Sequence, residues 1–114
     1  MPPKKNPLKL NNLQLRTLAL AQLLAQDPNI ARRDAVTGAV TLLEIPFAHG
    51  DHLHIGQFTV STKEASGLKN PSVWSALTRK GLARIDGPVD IALTAEGLSY
   101  DTEFGDRFLA SSDH

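Results

Sequence analysis

The chain has 114 residues, the size of one domain, with 41% apolar but only 5% aromatic side chains, so Leu, Ile, Val and Ala must fill a single core. It contains no cysteine, which excludes a disulfide framework, a thiolate metal site and a cysteine nucleophile. Formal net charge is zero, yet residues 1–84 hold 11 of the 12 Lys and Arg with 5 of the 12 acids, leaving one Arg and seven acids in residues 85–114, a split of +6 against −6 that points to an anionic partner for the first part.

Residues 1–10 carry three prolines and three lysines and read as a flexible basic arm. Lys4 and Lys5 precede a Leu-rich stretch, as in a secretory signal. However, Gln14, Arg16 and Gln22 interrupt the apolar run, and Asp27-Pro28 stands where small residues would mark a cleavage site. No window approaches the roughly 18 uninterrupted apolar residues of a membrane span, so the expectation is a cytoplasmic protein with no membrane partner. A helix is predicted from Asn11 or Asn12, either of which can act as N-cap, to about Gln26. At ~100° per residue Leu13, Leu20, Ala21, Leu23 and Leu24 share one face, while Leu15 and Leu18 fall opposite. A helix apolar on two sides is buried between layers or used for dimerisation, so a homodimer through the 12–26 helix is one expectation.

Residues 39–47 and 53–60 have strand character, with Pro46 closing the first run and His49-Gly50-Asp51 marking a turn, which predicts a β-hairpin over roughly residues 40–59. Ser61 or Thr62 can then cap a short helix through Leu68, with Glu64 in its first turn, where the helix dipole favours an acid. After a tight turn at Lys69-Asn70 comes a helix start, Asn70 at N-cap and Pro71 at N1, and Gly81 suits the left-handed position that ends a helix. The runs LARI and VDIAL around Asp86-Gly87-Pro88 predict a second hairpin. Thr94 can cap a last helix, and residues 105–114 read as a frayed acidic tail on a body spanning residues 11–104.

Two short helices joined by a tight turn and followed by a hairpin form a winged helix-turn-helix. The expected fold class is therefore α+β, a winged helix-turn-helix with an additional β-hairpin between the first helix and the helix-turn-helix. In such a unit one helix braces the next so that it can lie in the DNA major groove. Val73, Ala76 and Leu77 should face the core. Ser72, Ser75, Thr78 and Arg79 would then face double-stranded DNA behind Asn70 at the helix entrance, with Lys63, Lys69, Arg79, Lys80 and Arg84 on phosphates and Lys4 and Lys5 assisting.

The run VSTKEASGLKNPSVWSALTRKGLARI, with IALTAEGLSY after it, resembles the winged-helix domains of MarR-type bacterial transcription regulators over roughly residues 60–100. The matching residues are Leu77, Lys80, Gly81 and Leu82, then Leu93, Thr94, Glu96 and Gly97. What the resemblance implies is DNA binding in transcription regulation, often as a homodimer. Asp86 and Asp90 in the wing turn would repel phosphate, and they carry the alternative, a winged-helix module for protein contact without DNA binding.

His49, His52 and His54 lie within six residues. His52 and His54 would share one face of a strand, with Asp51 or His49 approaching from the turn, a donor set that suits zinc, nickel or iron. A small metal-sensing protein is thus a further alternative, beside the plain reading of solvated turn residues. No nucleotide-binding glycine pattern and no GxSxG elbow occur, so neither an enzyme nor a cofactor beyond a divalent metal is expected. Trp74 reads as core or interface packing.

Overall fold

The computed structural model describes residues 6–45, 50–55, 58–63, 65–85 and 91–102. Its first helix, α1 (Asn12–Leu24), opens on a reciprocal cap: Asn11 Oδ1 accepts from the Gln14 N–H at 2.8 Å, and Gln14 Oε1 accepts from the Asn11 N–H at 3.0 Å. Leu15, Thr17, Leu18, Ala19, Leu20, Ala21 and Leu24 are all buried, because α1 lies between other elements. Of the two uses expected for the 12–26 helix, burial between layers is the one that the fold shows. Its leucines are consumed inside the protomer, and Leu13 and Leu23 remain only half-buried.

Two hairpins follow. In the first, β1 (Ala31–Arg33) and β2 (Val40–Leu42) pair antiparallel with Arg33 opposite Val40. Asp34 shapes their turn by accepting the N–H groups of Val36 at 2.8 Å and Thr37 at 3.3 Å, and Gly38 takes a φ of +77° that other residues rarely adopt. In the second, β3 (His52–Ile55) pairs with β4 (Phe58–Ser61), His52 opposite Ser61 and His54 opposite Thr59.

The hairpin expected over roughly residues 40–59 does not form. Both hydrogen-bonding edges of β2 are already occupied, by β1 on one side and by a later strand on the other, so β3 must find its own partner. The helix expected to start at Ser61 or Thr62 is likewise absent. Ser61 ends β4, and only a 3₁₀ helix, Ser66–Lys69, forms there, without a side-chain cap. Glu64 lies outside the described residues.

The chain then runs as read: α2 (Pro71–Arg79), β5 (Ala83–Ile85), β6 (Ile91–Leu93) and α3 (Ala95–Ser99). The four-stranded antiparallel sheet has the order β1-β2-β6-β5, so the fold is α+β with two small antiparallel sheets. The core gathers Leu18, Leu20 and Leu24 with Leu53, Ile55 and Val60, Leu68, Trp74 and Leu77, and Leu82 and Leu93.

The Lys-Gly-Leu and Leu-Thr-x-x-Gly stretches meet at one point. Gly81 ends α2 at φ +78°, and its carbonyl accepts the Thr94 hydroxyl at 2.7 Å, while Thr94 Oγ1 accepts the Gly97 N–H at 3.0 Å. A Cβ on Gly97 would collide with the Leu82 carbonyl oxygen, which fixes glycine there.

Residues 6–10, read as part of the basic arm, are held by the body. Tyr100 Oη donates to Asn6 Oδ1 at 2.7 Å and accepts the Leu8 N–H at 3.1 Å, and Leu10 is buried. Residues 1–5 and the tail at 105–114 lie outside the described residues.

Candidate functional site

α2 begins where Asn70 Oδ1 accepts the Ser72 N–H at 3.0 Å and Pro71 occupies the first turn, two features that satisfy an orphan donor and remove another. Its 3.6-residue period buries Val73, Trp74, Ala76 and Leu77 and turns Ser72, Ser75 and Arg79 to solvent, as the spacing predicts. The indole Nε1 of Trp74 donates to the Leu68 carbonyl at 2.8 Å and so pins α2 to the 3₁₀ helix before it.

Pro71, Ser72, Ser75, Thr78 and Arg79 line one side of an open groove whose other side is Ile85 at the end of β5, with a volume of about 510 Å³. A smaller depression of about 280 Å³ shares Pro71, Ser75 and Ile85 and adds Leu68, Lys69, Trp74 and Ile91. Ile85 is 49% exposed, an apolar rim that the reading of polar candidates missed. The alternation of β5 sets Ile85 on the strand face of the buried Ala83, toward the helix, but that alternation does not record its exposure there.

The other expected contacts disperse. Thr78 lines the groove, but its hydroxyl donates to the Trp74 carbonyl at 2.8 Å within the helix. Lys80 Nζ donates to the Leu8 carbonyl at 2.9 Å, so this cation holds the N-terminal segment. Arg84 alternates to the opposite sheet face from Ile85, in one cross-strand row with Ala92, Thr41 and Arg32. There its charge contributes to holding the Asp34 carboxyl below its ordinary range, after the larger effect of the Val36 and Thr37 N–H groups. Lys63 and Lys69 are exposed, Lys63 after β4 and Lys69 beside the smaller depression. Lys4, Lys5, Asp86 and Asp90 lie outside the described residues.

His52 and His54 do share the outer face of β3, with ring centroids 5.2 Å apart and planes at 84°. Asp51 Oδ1 stands 3.3 Å from His52 Nδ1. His49 lies outside the described residues, and among the described residues no group of three or more His, Cys, Asp or Glu converges on a point. No helix among them is long and apolar enough to cross a membrane. No protein-family model, no curated protein and no solved structure matches the chain.

Proposed function

We propose that the protein binds double-stranded DNA as a winged helix-turn-helix and acts in transcription regulation. The observation that carries this reading is the exposed face of α2. Ser72, Ser75 and Arg79 are its outward residues, small enough near the N-terminus for a close approach, and the antiparallel pair β5–β6, the end of the four-stranded sheet, follows at once through Gly81. The major groove is about 12 Å wide and admits one helix, so α2 would enter it with the serines toward base edges and Arg79 toward phosphate or guanine. In this unit the 3₁₀ helix takes the place of the bracing helix, and the Trp74–Leu68 hydrogen bond fixes its angle to α2. Lys69, beside the smaller depression, and the exposed Lys63, after β4, would meet phosphates. Lys80 and Arg84 play no part in it.

Fluorescence anisotropy on duplexes selected from a random pool tests this. Three phosphate contacts predict an affinity that falls with salt along a log–log slope of roughly −3. Arg79→Ala should weaken binding several-fold and make the slope shallower by about one unit. Arg84→Ala should leave both nearly unchanged. Equal losses from the two substitutions would move the contact surface away from α2.

A second reading, a protein-contact module, draws on the half-exposed Ile85 and the apolar depression behind it. The absence of any duplex binding at low salt would favour it.

A further inference from the structure

We infer that the outer face of the β3–β4 hairpin is a binding site for one divalent cation of the zinc class, chelated by His52 and His54. Residues two apart on a strand point to the same face, and here the two imidazoles already lie 5.2 Å apart, centroid to centroid. Two imidazoles on one tetrahedral zinc, with Zn–N of about 2.0–2.1 Å, have ring centres roughly 5 Å apart. The pair therefore stands at chelating separation, and a turn of each ring about its own bond would bring one nitrogen of each toward a shared ion. No strand need move.

Asp51 supplies the partner that such sites use to orient a ligand. Its Oδ1 lies 3.3 Å from His52 Nδ1, and a carboxylate in that position selects the tautomer with the proton on Nδ1, which directs coordination to Nε2. Among the described residues Thr59 and Ser61, opposite the two histidines, offer only hydroxyls, and water would take the positions that they leave. The opposite face of the same hairpin carries Leu53, Ile55 and Val60 into the core, so the site rests on a packed support. This site is independent of the α2 groove and of what that groove binds.

The experiment is calorimetric titration of the full, untagged chain with Zn²⁺, followed in parallel by the histidine ring signals in NMR. One ion per chain is expected, with the His52 and His54 rings shifting together. His52→Ala and His54→Ala should each weaken binding about tenfold or more, and Asp51→Asn several-fold. Because these residues face outward, far-UV circular dichroism should stay that of the parent. Thr59→His, which places a third imidazole opposite His54, should tighten binding about tenfold. No heat at millimolar Zn²⁺, unchanged affinity in either histidine variant, or no gain from Thr59→His would each overturn the assignment.

Discussion

Thr17 carries a hydroxyl into the interior, fully buried, and Oγ1 finds no hydrogen-bond partner among the described residues. The 3₁₀ helix approaches closely there: a Cβ on Gly67 would collide with the Thr17 hydroxyl and lie 3.2 Å from Leu13 Cδ1. An orphaned buried donor costs about 1–3 kcal/mol, so Thr17→Val, which keeps the shape and removes the hydroxyl, should stabilise the fold by about 1 kcal/mol in urea unfolding. A less stable variant would mean that the hydroxyl is satisfied in solution. Sequence periodicity gave no hint of this, since a threonine on an apolar helix commonly bonds back to its own turn.

Among the elements, α2 has both ends specified by local chemistry, and its start is the cheaper to test. Asn70→Ala removes the side-chain acceptor for the Ser72 N–H and should cost about 1 kcal/mol, read as a lower midpoint in thermal or urea unfolding. Asn70→Ser should recover most of it. An unchanged midpoint in Asn70→Ala would show that packing of Trp74 and Leu77 alone sets where the helix begins. The hairpins teach the complementary lesson. Asp34 and Gly38, four apart, are a turn signal in the sequence, and so is the glycine of Gly56-Gln57 between the runs LHI and FTV. Neither was decisive, because strand runs this short fit several partners until the edges are assigned.

At the scale of the molecule, the two ends of the described chain are joined. Tyr100 Oη holds Asn6 and Leu8, Lys80 adds a bond to Leu8, and the Gln22 amide donates to the carbonyls of Gly97 and Tyr100, each at 2.8 Å. Tyr100→Phe keeps the ring and breaks the clasp. Amide exchange at Leu8 and Leu10 should then rise well above that of α1, with about 1 kcal/mol lost globally. Exchange unchanged at those amides would assign the anchoring to Leu10 burial instead. The same clasp explains why the Lys80 ammonium, adjacent to Arg79 in sequence, reaches Leu8 and is not among the residues lining the α2 groove.

What the amino-acid order alone determined were the pieces governed by short-range chemistry. The Asn11 cap, the Asn70-Pro71 start, the Gly81 stop, the Thr94 cap and the inward set of α2 depend on neighbours within one or two helical turns, so a single chain displays them. Three other features belonged to the tertiary structure alone: the pairing of β2 with both β1 and β6, the diversion of Lys80 and Arg84 from the groove, and the exposure of Ile85 beside it. Each depends on residues distant in sequence competing for one edge, one cation or one face, and no local pattern records which of them prevails.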